Sequence, residues 1–179
     1  MADNFKQLKE QSHPSLMSKA AMTTAASTRG TGELLFSEIL TKVNNAKDKA
    51  KKIAVLQKYD HPSLRMLIKG SFDPSIEWDL PEGTPPYMAN EAPKGTEHTV
   101  LKTECKRLWH FIKGADKNTT KTQKETLFIQ MLEGLQSDEA QLLLDTKDKK
   151  LHRVYKGLSE SVVKEAFSWN DLFVKIEQK

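Results

Sequence analysis

The side chains able to do chemistry are few and scattered. Cys105 is the single cysteine, with His98 and His110 on either side of it; His13, His61 and His152 lie elsewhere. A cysteine near a histidine can supply a thiolate nucleophile. The same positions also describe a half-buried cysteine on an amphipathic helix, and that is the expected state. His98 and His110 would stand ~18 Å apart on one straight helix, too far to share a metal. Asp73, Glu77, Asp79 and Glu82 could hold a cation or divide acid and base roles. They lie on a proline-rich stretch, where solvated carboxylates are the expectation. The sequence contains no glycine-rich phosphate loop, no Cys-x-x-Cys and no His-Glu-x-x-His, the spacings that make phosphate and metal chemistry recognisable. The expected protein is therefore not an enzyme, with no catalytic residue, metal ligand or cofactor.

Charge says more than reactivity. Residues 31–72 carry eight basic and four acidic side chains, and residues 96–121 six and three. Residues 73–95 carry five acidic side chains and only Lys94. Lys47, Lys49, Lys51, Lys52 and Lys58 crowd one helix and the turn before it, a pattern that usually means a solvated face. The run from Lys147 to Lys156, KDKKLHRVYK, leads directly into Gly157-Leu158-Ser159. A serine-started helix presents free backbone amides, which can hold a phosphate beside basic side chains. No aromatic ladder interleaves with these charges, so no single-strand stacking platform is expected.

The elements that must position these residues follow from periodicity. The chain has 179 residues, a net charge of +4, 37% hydrophobic and 29% charged residues. That suits one domain of mild basicity. A lone cysteine fits a reducing compartment. With no apolar run near the ~18 residues of a membrane span, the expectation is a soluble intracellular protein. Residues 1–32 are small, polar and aperiodic, and are expected to form a flexible tail. Helical spacing predicts a helix over 34–43, a lysine-rich one over 47–59, and one after Asp60 as cap with Pro62 in its first turn. Five prolines in residues 73–95 predict an ordered irregular loop. A long helix is expected over 97–113, with Gly114 at its end. Thr122 and Glu125 read as a capping box, Ser137 as the cap of the next helix, and Ser159 as another. Residues 168–179 suit either a last helix or a docking tail. The predicted class is all-α: one irregular domain of about seven helices over 33–179. Its expected core includes Phe36, Ile39, Leu67, Leu108, Ile112, Phe128, Met131, Leu132, Leu143, Val162 and Phe167.

Two resemblances add to this. The segments FSEILTKVNNAKDKAKKIAVLQKYDHPSLRMLIKGSF, Glu104–Lys113 and LEGLQSDEAQLLL…KGLSESVVKEAF resemble the helical DNA-binding domain at the front of ATP-dependent DNA ligases, over roughly half of the chain. That resemblance implies a helical fold whose basic segment, glycine turn and short helix lie against a DNA backbone. Tyr155 stands where many ligases place an arginine, and the adenylation motif Lys-x-Asp-Gly is absent, so the resemblance does not extend to catalysis. The stretches FDPSIEWDLPEGTPPY, HFIKG and FIQMLEGL are similar to a family of uncharacterised small proteins of myovirus-type tailed phages, including cyanophages.

The expected function is an accessory phage protein that binds the backbone of duplex DNA. Its contacts would be Lys147, Lys149, Lys150, Arg153, Lys156 and Ser159, with Lys49, Lys51 and Lys52 behind them. The alternative is a module that binds phage or host protein through the proline loop, with Trp78, Tyr87 and Trp169 as anchors. No membrane partner is expected. The place of action would be the cytoplasm of an infected cell, with packaging in the virion left open.

Overall fold

Glu139 to Lys147 read as a polar-sided helix, yet of these residues only Gln141 reaches solvent. A helix covered all round must be the centre of its domain. A computed structural model describes residues 33–93 and 96–177; the expected tail, residues 1–32, lies outside them. Among the described residues there are eight α-helices, one 3-10 helix and no strand. They are α1 Phe36–Asn45, α2 Lys49–Lys58, α3 Pro62–Phe72, α4 Leu101–Glu104 continuing as the 3-10 helix Cys105–Phe111, α5 Lys121–Gly134, α6 Ser137–Lys147, α7 Leu151–Val154 and α8 Glu160–Phe167. The protein is all-α, as its periodicity requires. The buried α6 is packed by α1, α3, α5 and α7, while α8 lies on α2 and α3. All the expected core residues are buried except Ile112, which is half-buried.

Several helix starts fall one or two residues from their predicted caps. Thr120, not Thr122, caps α5; its hydroxyl accepts from the Gln123 amide, and the Gln123 side chain accepts from the Thr120 amide. Both threonines fit the same capping pattern, and the earlier start turns Lys124 inward to the Asp116 carbonyl. Gln136, not Ser137, caps α6 by accepting from the Asp138 and Glu139 amides. His61, not Asp60, caps α3: its Nδ1 accepts from the Ser63 amide at 3.1 Å, while Asp60 accepts from Arg65 Nε at 2.7 Å. Ser159 does cap α8, accepting from the Val162 amide.

The helix predicted over 97–113 is a larger correction. Only Leu101–Glu104 is α-helical, and Cys105–Phe111 tightens to a 3-10 helix. Three residues per turn put Cys105, Leu108 and Phe111 on one face, and all three are buried. Ile112 leaves the helix and bridges to Trp78, with the Asp79 amide donating to the Phe111 carbonyl and the Lys113 amide to that of Glu77. The proline loop is thus tied to the helices by backbone pairing that no periodicity displays.

Two buried lysines hold the same loop. Lys124 donates to Asp79 Oδ2 at 2.8 Å, and Lys147 donates to the Pro81 carbonyl at 2.7 Å. An ammonium taken out of water needs such partners. The loop carboxylates are therefore only partly solvated: Asp73 is buried and accepts from the Ser75 amide and hydroxyl, whereas Glu77 and Glu82 are exposed. Residues 168–177 form a docking tail, not a helix. Ser168 turns left-handed, Phe173 plugs into the core, and Trp169 bridges to Lys175.

Candidate nucleic-acid interface

The last turn of α1 and the turn before α8 meet at Gly157. Its amide donates to Asn44 Oδ1 at 2.9 Å, and a Cβ placed on it would stand 2.8 Å from Asn44 Cα. Residue 157 must be glycine for the two chain segments to approach this closely. The contact sets Lys156 beside the end of α1. Lys42 on α1 lines a groove together with Val154 and Tyr155 from the other segment. Arg153, Lys156, Lys42 and Lys47 are exposed, and none has an ion-pair partner among the described residues. The α6 wall of the groove is acidic, with Asp138 and Asp145. Asp145 is held above the usual carboxylate range by burial. Glu38 lines the α1 side beside Lys42, so this groove itself is not a cationic site; the exposed Arg153 and Lys156 flank the Gly157 turn outside its lining.

The helix start beyond the turn offers further donors. Among the described residues, nothing accepts from the Glu160 and Ser161 amides at the front of α8. Glu160 is acidic, but its carboxylate accepts from Lys164 at 2.5 Å, which offsets its charge. Ser159 is exposed and its hydroxyl also meets that of Ser161 at 3.2 Å.

The sequence-predicted contacts divide into four groups. Arg153, Lys156 and Ser159 are exposed, on α7 and on either side of Gly157. Lys149, Lys150, Lys49 and Lys51 are spoken for: Lys149 donates to the Asp73 carbonyl, Lys150 pairs with Asp148, Lys49 with Glu165 and Lys51 with Asp48. Burial also pushes the Lys149 ammonium below its usual range. Exposed pairs such as Lys49–Glu165 are worth little and can be exchanged for a phosphate. Lys52 is half-buried on α2 without an ion pair among the described residues. Lys147 has to be withdrawn as a contact. It is 5% exposed, and its ammonium is consumed by Pro81 and Asp148. Neither Lys42 nor Asn44 was singled out from the sequence as a site residue. An asparagine at a helix end is a ready acceptor for a neighbouring amide, and that was the available signal.

The aromatic anchors of the alternative reading face inward. Trp78 donates Nε1–H to the Gly70 carbonyl at 3.0 Å, Trp169 is buried against Phe167 and Phe173, and Tyr87 is half-buried against the core. Cys105 is fully buried, and burial pushes its thiol far above the usual range. Only thiolate reacts, so a thiol-alkylating reagent should modify native protein at least about a hundredfold more slowly than denatured protein. Comparable rates, followed by mass spectrometry, would show that the Cys105 pocket opens freely.

What fold and turn define together is an all-helical domain in which the end of α1 and the turn before α8 meet at Gly157. The chain belongs to a family of unknown function (DUF6433), whose model matches residues 39–153. The match runs from within α1 to within α7 and ends just before the Gly157 turn. No curated protein and no solved structure matches the chain. Among the described residues no three metal-binding side chains come together, and no helix is long and apolar enough to cross a membrane.

Proposed function

We propose that this protein is a non-enzymatic accessory protein of a tailed phage that grips the backbone of duplex DNA at the Gly157 turn. The observation that carries this reading is the Gly157–Asn44 contact. It brings the segment that carries the exposed Arg153 and Lys156 against the end of α1, which carries the exposed Lys42 and is followed by Lys47. Phosphates are recognised by such combinations of Lys, Arg and backbone N–H, without reading base sequence. The ligase resemblance assigns the same role to its basic segment and glycine turn. A protein-binding role through Trp78, Tyr87 and Trp169 has less support, because all three rings are engaged within the fold.

Charge reversal tests it. Arg153→Glu with Lys156→Glu should change stability by less than about 0.5 kcal/mol, as expected of exposed substitutions. Duplex affinity at low salt should fall about tenfold or more. The dependence of log Kd on log salt should flatten by about two contacts' worth. Binding of wild-type and doubly substituted protein with the same affinity and salt slope would remove the Gly157 turn from the interface. Absence of any salt-sensitive duplex binding by the wild type would remove the DNA reading itself.

A further inference from the structure

We infer that Trp109 and His110 form a stacking ledge for an unpaired base of a single-stranded nucleic acid, with Lys106 placed for the adjoining phosphate. The geometry comes from the 3-10 helix, in which side chains three apart eclipse. Its buried face is Cys105, Leu108 and Phe111; Lys106 and Trp109 share a second face and are both exposed. An unbroken α-helix, as the sequence predicts, would not stack these positions directly.

Trp109 differs from the other two tryptophans. Trp78 and Trp169 are consumed in packing, whereas Trp109 is 49% exposed and its indole N–H meets no acceptor among the described residues. One ring face rests on His110, with centroids 3.8 Å apart and planes inclined by 29°. The imidazole is itself fixed, because its Nδ1 lies 2.6 Å from Oδ2 of the buried Asp116. Asp116 in turn accepts from the Thr119 hydroxyl at 2.6 Å and from the Asn118 amide at 2.9 Å. The ledge is thus held from below and open above. A flat apolar ring held rigid in water is suited to a second flat ring, and every nucleobase has one. The charge beside it favours a polyanion: Lys106 and Lys117 are exposed and without ion pairs among the described residues. The ledge is built on the 3-10 helix, independently of the Gly157 turn, and does not require duplex binding.

The test uses the full chain and labelled oligonucleotides of about 12 thymidylates or 12 uridylates, a length within single-strand site sizes. Both should partly quench tryptophan fluorescence of the wild type, and anisotropy gives the affinities; a preference between the two arms identifies DNA or RNA as the source of the base. Trp109→Ala should weaken binding at least about fivefold, the effect of losing one stacked base. Lys106→Glu, which leaves the ledge in place, should also weaken it and lower its salt dependence. The Arg153→Glu, Lys156→Glu protein should bind the single strand within about twofold of wild type, which separates this site from the duplex interface. Two results would overturn the inference. One is an absence of quenching by either oligonucleotide at low salt. The other is single-strand binding unchanged by Trp109→Ala. Self-association of the wild type abolished by Trp109→Ala, without oligonucleotide binding, would assign the ring to a protein contact instead.

Discussion

Replacing Gly157 by alanine should destabilise the protein by about 3 kcal/mol, the upper part of the range for forcing extra volume into a packed site. The methyl group would stand 2.8 Å from Asn44 Cα, 3.0 Å from the Val43 carbonyl oxygen and 3.2 Å from that of Asn44. All three are backbone atoms, so no rotamer change relieves the crowding. Alanine also restricts the unfolded chain, which by itself stabilises by about 0.4–1 kcal/mol. That gain is the smaller term, and the clash decides the sign. Thermal unfolding should show a loss of roughly 10 °C for a chain of this size. Gly134 provides the matched control. A Cβ there would meet Thr99 Oγ1 at 3.1 Å, a side-chain atom able to move, so Gly134→Ala should be close to neutral. Equal melting temperatures for Gly157→Ala and wild type would mean that the Gly157–Asn44 approach is not needed, and the proposed interface would lose its basis. A folded Gly157→Ala protein should also bind duplex more weakly, because the two cationic segments are pushed apart.

The second large effect is a pH dependence centred on Glu139. This residue is 1% exposed, and its Oε1 accepts from the Ser37 amide at 2.7 Å, joining α6 to the start of α1. Burial raises its carboxyl from an ordinary 4.5 to about 7, and the neighbouring carboxylates Glu38 and Glu97 add to the rise against the opposing Ser37 hydrogen bond. Between these two values the folded protein keeps a proton that the unfolded chain releases. Stability from this site is therefore fully present below pH 4.5 and is lost as pH rises through about 7. The full loss is about 3 kcal/mol, from the size of the shift. Glu139→Gln removes the charge and keeps an oxygen able to accept from Ser37. Its melting temperature should stay near that of wild type at about pH 5 and exceed it by roughly 10 °C at about pH 8. Parallel curves for the two proteins across this range would show that Glu139 does not titrate with folding. Since Ser37 lies on α1, whose far end carries Asn44, the same measurement reports how firmly one side of the Gly157 contact is seated.

Much of this protein was determined by local sequence. The apolar spacing of Phe36, Ile39, Leu40 and Val43, or of Val162, Val163, Ala166 and Phe167, leaves an amphipathic helix as the economical way to bury those residues, and both helices form where the spacing puts them. Ser159 caps α8 because a hydroxyl at that position reaches the amide three residues on, an interaction complete within one turn. The run of prolines in 73–95 excludes regular structure by itself. Arg153 and Lys156 were legible as exposed cations before a glycine turn.

Tertiary structure decided the rest, because each remaining outcome depends on a partner distant in sequence. Lys147 and Lys149 lie in one basic run with Arg153, yet a carbonyl on the proline loop captures Lys147 and that of Asp73 captures Lys149. A charge run does not reveal which of its members will be drawn inward. Glu139 sits in the first turn of α6, where a carboxylate ordinarily suits the helix dipole, and only the packing of α1 buries it. The 3-10 winding of Cys105–Phe111 ends where Ile112 bridges to Trp78, a partner distant in sequence. Trp109 lies off the buried face of that winding and is exposed. Gly157 was legible as a turn but not as a contact. Only the folded chain brings Asn44 against it across 113 residues, and the proposed interface rests on that approach.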